Sequence, residues 1–252
     1  MRKIIGGSTT SKKSMGKRWN GIYENENKML HKRKDLNIVG SNLWYLVGLI
    51  TTDGCLSSDG RHINITSKDE TYLIKLKSEL GLNNKIGIKN RDRANKAYQI
   101  EFANRNLYDF LLSLGLTPAK SLTQDEVIVP DEFFSDFLRG VIDGDGCIRK
   151  WAHPTNKNEQ WSLRIYSPSL FFVEWLCKEI ECLLKVKGRI HREARKKPLV
   201  DMFILKYGKM ASRTIFDSCY YKNALAMDRK AKLASECCFS YQGWSKSKTV
   251  LN

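Results

Sequence analysis

Leu46-Val-Gly-Leu-Ile-Thr-Thr-Asp-Gly-Cys55 returns 92 positions later as Leu138-Arg-Gly-Val-Ile-Asp-Gly-Asp-Gly-Cys147. Each copy is an apolar stretch of helical character that ends in an acidic residue followed by glycine. A chain carrying such a unit twice can fold as an internal pseudo-dimer, with the two helices paired and Asp53 and Asp145 meeting at one end. Adjacent carboxylates repel each other unless a cation lies between them. In a chain of formal net charge +16, the natural use of that cation is chemistry on a phosphodiester.

Composition narrows the class. A chain of 252 residues with 42% hydrophobic and 10% aromatic content has enough material for one large domain or two small ones. Its basicity therefore belongs to a folded surface rather than to a disordered polycation. A pI of about 9.5 favours a polyanionic partner. A membrane is not expected, because the longest apolar run, Leu43 to Ile50, is far short of a span. The opening Met1-Arg-Lys-Ile-Ile-Gly-Gly lacks the apolar core of a signal peptide. Seven cysteines without a C-x-x-C pair, and four scattered histidines (His31, His62, His153, His191), match neither a zinc site nor a disulfide framework. The cysteines read as reduced thiols. The expected location is intracellular, in the cytoplasm or nucleoid, or in an organelle matrix if organelle-encoded.

Around the repeated stretch the pattern is regular. Residues 1–41 form a basic arm; its first 40 residues hold ten Lys or Arg against three acids. The first repeat is expected over 42–115. It opens with a helix at Leu43–Thr52 and a hairpin at Leu56–Thr66 turning through Ser58-Asp59-Gly60. A capping box at Ser67-Lys-Asp-Glu70 starts a second helix that closes at Gly81. Strands at Lys85–Asn90 and Tyr98–Ala103 and a third helix ending at Gly115 follow. A linker, 116–130, leads to the second repeat at 131–222, in which Ser167-Pro168 is read as an N-cap and first-turn pair. A C-terminal segment covers 223–252. Asp53 and Asp145 are offset by 92 and Ile65-Thr-Ser67 and Ile165-Tyr-Ser167 by 100, so the second copy carries about eight extra residues in its first hairpin. The expected class is α+β: two pseudo-symmetric α-β-β-α-β-β-α repeats, each with a four-stranded antiparallel sheet.

Within the motif helices, Gly48 and Thr52 are four apart, and Gly140 and Gly144 repeat that spacing. Residues at i and i+4 share a face, so small residues there allow the helices to touch backbone to backbone. Asp53 and Asp145 stand at helix C-termini, where the macrodipole is negative and carbonyls point outward. A hard divalent cation reverses that penalty. Mg²⁺ is the expected ion, with Mn²⁺ or Ca²⁺ able to take its place, and the carbonyls of Thr52 and Gly144 are further candidate ligands.

Leu46 to Gly54 and Leu138 to Gly146 resemble the two motifs of the single-chain LAGLIDADG homing endonucleases. The similarity covers about 42–222, including the Ser67-Lys-Asp helix start and the run Gly115-Leu-Thr-Pro-Ala-Lys-Ser-Leu-Thr. The resemblance implies that the motif helices form the subdomain interface and that Asp53 and Asp145 bind the metal. It further implies that the sheets form saddles in the DNA major groove and that both strands are cut. It places a basic residue after each repeat's last strand, at Arg105 and Lys209, near the scissile phosphate. Thr51-Thr52-Asp53 departs from Asp143-Gly144-Asp145 at a position the family does not need for metal. Arg139 after the second motif's leucine suggests a helix flank reaching solvent.

If Ile63, Ile65, Trp161, Leu163, Ile165 and Ile190 face the helices, the alternate residues face outward. These are His62, Asn64, Thr66, Arg149, Ser162, Arg164, Tyr166, Arg189 and His191, with Lys85, Lys89, Arg91, Gln99 and Glu101 from the other hairpin. Such side chains are the usual readers of base edges. The sequence thus points to a monomeric metal-dependent endonuclease acting on a long double-stranded DNA target. Two alternatives share the fold, a maturase that binds intron RNA and a catalytically inactive DNA-binding regulator. Tyr220-Tyr-Lys-Asn-Ala-Leu and Asp228-Arg-Lys-Ala-Lys are read as packing and phosphate-contact segments.

Overall fold

The computed structural model describes residues 39–90, 96–118, 124–196 and 199–248, with only the backbone of Asn90 and of 241–248. The basic arm up to residue 38, Arg91 and the linker stretch 119–123 lie outside the described residues.

A run without polar interruption is a helix buried on all sides. Every residue of α1 (Ser41–Asp53) from Leu43 to Thr51 is buried accordingly. The first repeat continues through β1 (Gly54–Leu56), β2 (His62–Ser67), α2 (Glu70–Glu79), β3 (Ile86–Asn90), β4 (Lys96–Ala103) and α3 (Arg105–Ser113). A 3₁₀ turn at Asp131–Phe133 leads into α4 (Phe134–Asp145). The order then repeats as β5 (Gly146–Ala152), β6 (Glu159–Ser167), α5 (Leu170–Leu184), β7 (Arg189–Glu193), β8 (Met202–Gly208) and α6 (Lys209–Cys219). The two antiparallel sheets run β1-β2-β4-β3 and β5-β6-β8-β7. Alternation sorts their faces. Ile63, Ile65, Ile100 and Phe102 of the first sheet, and Leu163, Ile165, Leu205 and Tyr207 of the second, are buried.

The helix starts differ from the expected capping box in a way that both repeats share. In the first, Asp69 is the N-cap and accepts from the Tyr72 N–H at 3.0 Å, while Ser67 Oγ accepts from the Asp69 N–H at 3.1 Å. In the second, Ser169 Oγ accepts from the Phe172 N–H at 3.3 Å and Ser167 Oγ from the Ser169 N–H at 3.1 Å. The strand-end serine bends the chain, and the residue two positions on caps the helix.

The C-terminal segment contains a long helix, α7 (Asp228–Lys248). Its inward face is Lys230, Ala234 and Cys237, all buried. That stripe contains only small residues and one cation, so hydrophobic periodicity does not reveal it. The repeats are joined through the core as well: the Trp44 ring of α1 meets Phe110 of α3 edge-on at 6.0 Å and stacks on Phe133 at 6.1 Å.

Candidate active site at the paired motif helices

Helices α1 and α4 cross at their glycines. A Cβ on Gly48 would lie 2.0 Å from the Phe137 carbonyl oxygen, and one on Gly140 would lie 2.2 Å from that of Tyr45. Only backbone fits at this crossing. At the far end a Cβ on Gly144 would meet Thr52 Oγ1 at 1.9 Å and Asp53 Cγ at 3.5 Å. The first motif's carboxyl group therefore stands against the second motif's backbone, one residue from Asp145. Asp53 and Asp145 are each half-buried as the last residues of their helices. The Thr52 hydroxyl is turned back into its own helix, donating to the Leu49 carbonyl at 3.0 Å.

Two carboxylates among outward-pointing carbonyls suit a hard divalent ion that keeps several of its waters. Among the described residues no group of three or more His, Cys, Asp or Glu side chains is placed to hold a metal. Asp53 and Asp145 are the charged donors of this set. The Gly144 carbonyl, a candidate ligand, also accepts from a lysine.

That lysine is Lys230, in the first turn of α7. Its ammonium donates to the carbonyls of Ile142 (2.7 Å), Asp143 (2.6 Å) and Gly144 (3.1 Å), capping the C-terminus of α4. Burial pushes its pKa down to about 8, against the pull of Asp143, Asp53 and Asp145. Sequence reading placed Lys230 in a segment of packing and phosphate contacts. The available signal was the sign of the charge: a cation is the side chain that the negative end of α4 attracts.

Behind the carboxylates runs a buried polar seam. Asp143 accepts from the hydroxyls of Tyr45 and Tyr220 at 2.8 Å each and from the Met227 N–H at 2.7 Å. Tyr45 also shares a 2.6 Å hydrogen bond with the Tyr72 hydroxyl. Burial raises the pKa of Asp143 while these donors oppose the rise, and burial likewise raises Tyr45, Tyr72 and Tyr220. Arg139 was expected to reach solvent; it is fully buried. It pairs with Asp136 at 2.8 Å, donates to the Leu225 and Cys219 carbonyls at 2.8 Å each, and lies over the rings of Tyr45 and Tyr221. The C-terminal segment covers that flank and supplies acceptors for the guanidinium, which is why a charge is tolerated there.

The sheets turn most of the sequence-nominated side chains away from the helices. On the first face Asn64 donates to Glu101 at 3.3 Å, Thr66 donates to Asn64 at 3.1 Å, and His62 pairs closely with Asp59. Gln99 opposes both Thr66 and Gly87, and Lys89 and Lys85 are exposed nearby. On the second face Cys147, Arg164, Lys206 and Arg189 form one cross-strand row. Arg149 and His191 are exposed and Tyr166 is half-buried. Lys206 was not nominated from sequence. Ser162 was, but it is 1% exposed and cannot reach a ligand as it stands.

Arg105 and Lys209 are not brought beside the carboxylates by strand register. Gly54 opposes Ile65, whereas Arg105 follows Ala103, which opposes His62. Gly146 opposes Ile165, whereas Lys209 follows Gly208, which opposes Ser162. Antiparallel strands carry both residues toward the outer end of their sheets, at about 3.3 Å per residue. Arg105 is exposed and faces Asp109 at 3.9 Å, and Lys209 donates to the Glu159 carbonyl at 3.2 Å.

Two sheet-bearing repeats joined through glycine-packed helices that end in acids define the class of protein. Residues 41–115 match the family model of the LAGLIDADG-like domain. The fold of the chain is that of the LAGLIDADG homing endonucleases. The I-LtrWI LAGLIDADG homing endonuclease, solved bound to target DNA, is 14% identical with a TM-score of 0.51, over 82% of this chain and 91% of that one. The meganuclease I-SmaMI, solved bound to uncleavable DNA, is 13% identical with a TM-score of 0.51, over 78% and 89%. Full-length DUF199/WhiA from Thermatoga maritima is 14% identical with a TM-score of 0.49, over 85% of this chain and 69% of that one. No curated protein matches the chain.

Proposed function

We propose that this protein is a metal-dependent, site-specific endonuclease that cuts both strands of a double-stranded DNA target inside the cell. The observation that carries this reading is the meeting of Asp53 with the Gly144–Asp145 backbone at one end of the helix pair. A basic sheet surface accompanies the acids, and the protein acts as a monomer because the chain supplies both halves of the site. Asp53 and Asp145 would hold the divalent ion, Mg²⁺ in the cell. When bound, that ion supplies an acidified water and charge stabilisation at the phosphate. Lys230 adds a fixed positive charge beside the two acids, which lowers the penalty of bringing a phosphate to them. Cations on the sheet faces draw the duplex in and hold its backbone, and the polar side chains between them read base edges. The structures of I-LtrWI and I-SmaMI with DNA support the choice of partner. An uninterrupted homologous locus at the insertion point of a mobile intron is the proposed source of the target.

The test is selection of bound and cut molecules from a randomised duplex library in Mg²⁺. Recovery of one site, cut on both strands, is the expected result. Specific binding without cutting in Mg²⁺, Mn²⁺ or Ca²⁺ would overturn cleavage and leave a DNA-binding regulator. A preference for structured intron RNA over every duplex would assign the fold to RNA instead.

A further inference from the structure

We propose that Asp143, an acid outside the metal-binding pair, is a positioning residue that clamps the chain between α6 and α7 so that Lys230 stands over the end of α4. This rests on the reading of the helix-end acids as the cleavage site.

One side chain holds both ends of the connector. Tyr220 is the first residue after α6, and its hydroxyl donates to Asp143 Oδ1 at 2.8 Å. Met227 is the last residue before α7, and its N–H donates to Asp143 Oδ2 at 2.7 Å. Arg139, one turn earlier on α4, grips the middle of the same connector through the Leu225 carbonyl and its start through that of Cys219. The Lys230 N–H then bonds the Met227 carbonyl at 2.9 Å, so the clamp is passed directly to the lysine's own backbone. Its side chain delivers an ammonium to three consecutive carbonyls of α4. An ammonium has three donors, and three acceptors leave it no other pose.

The clamp also spans the helix pair. Tyr45, from α1, donates to Asp143 Oδ2 at 2.8 Å. Asp143 therefore has its full set of donors only when the two motif helices are together, and the same event completes the seat of Lys230. The first motif lacks this device. Thr51 stands at the equivalent place and donates to its own helix, to the Val47 carbonyl at 2.8 Å. A buried carboxylate with three donors is costly to disturb, because removing one partner leaves desolvated charge behind.

The decisive measurement is the acetylation rate of individual lysines in the full-length protein, without DNA or metal, read by peptide mass spectrometry. In the wild type Lys230 should react far more slowly than the exposed Lys232. Tyr220→Phe removes one hydrogen bond and Asp143→Asn removes the charge; each should raise the Lys230 rate about tenfold or more, the effect of losing one charged hydrogen bond. The rate at Lys232 should not move. Leu176→Ala, a core truncation in α5, is the control for general loosening and should leave Lys230 protected. If Asp143→Asn does not fold, Tyr220→Phe alone decides. Unchanged protection of Lys230 in the folded variants would overturn the clamp, as would an equal rise in Leu176→Ala. Failure of the wild type to cut any duplex would remove the endonuclease reading, while the acetylation pattern would still decide the clamp. If both hold, cleavage falls in the same variants in which Lys230 is exposed, and duplex binding is retained.

Discussion

Across the open face of the first sheet the row Cys55, Asn64, Glu101 joins three strands; the matching row of the second sheet is Cys147, Arg164, Lys206, Arg189. In the first row donor and acceptor already satisfy each other, Asn64 against Glu101. In the second, every charged group is a donor, and Arg164 Nε is buried without a hydrogen-bond partner among the described residues. Neighbouring cations repel, so such a row is stable beside a polyanion and strained without one. The repeats thus share a backbone plan and differ in what they ask of a ligand. Guanine presents two acceptors to an arginine, adenine matches Asn or Gln, and cytosine offers a donor to Glu. One half of the target is expected to be read through guanines and the other through adenine and cytosine.

The motif ends set the largest expected effect. On the proposed reading the repeats differ in recognition but contribute one acid each to the chemistry, so Asp53→Asn and Asp145→Asn should both abolish cutting. The expected loss is several orders of magnitude, as for removal of metal-borne charge stabilisation. Binding of the selected duplex should survive in both, measured by gel shift beside a cleavage time course. Cutting by either variant at the wild-type rate would break the equivalence of the two acids.

Gly140→Leu comes next. A Cβ already collides with the Tyr45 carbonyl, so the helices must part. The destabilisation should exceed the roughly 1–3 kcal/mol typical of overpacking. Thermal unfolding is the readout, and an unchanged melting temperature would show that the crossing is not where the glycines place it.

Arg164→Ala should weaken binding by about 1–3 kcal/mol and erase a guanine preference in one half of the selected site only. Uniform weakening across sequences would mean that Arg164 touches phosphate alone. Glu101→Gln is the smallest and sharpest probe. It removes the only acid of its row, should shift the base preference in the opposite half, and should change affinity by less than about 1 kcal/mol. A shift in the Arg164 half would refute the division of labour between the sheets.

Much of this was legible in one chain of letters. The repeated Leu46–Cys55 and Leu138–Cys147 stretches, with glycine four residues before a small residue, specify a close helix pair wherever they occur. Alternation at His62–Ser67 and Trp161–Tyr166 sorts the sheet faces for the same reason: both rules are local and periodic. The structure departs from the sequence reading at Arg139 and Ser162, both buried, and partners far along the chain decide such positions. Arg139 looked like a solvent-facing charge because its acceptors, Leu225 and Cys219, lie 86 and 80 residues away. The resemblance placed Arg105 and Lys209 near the scissile phosphate, and strand register sets them at the end of each sheet away from Asp53 and Asp145.

The sequence by itself determined the duplication, the strand order of elements, the basic surface and the two acids at helix ends, because each follows from spacing within a few residues. Only the tertiary structure decided which polar groups work together inside. The bonds from Tyr45, Tyr220 and Lys230 to Asp143 span 98, 77 and 87 residues. No periodicity links positions so far apart. They are joined because a buried charge must find its partners wherever the folded chain brings them, and α4 ends where α7 begins to cover it.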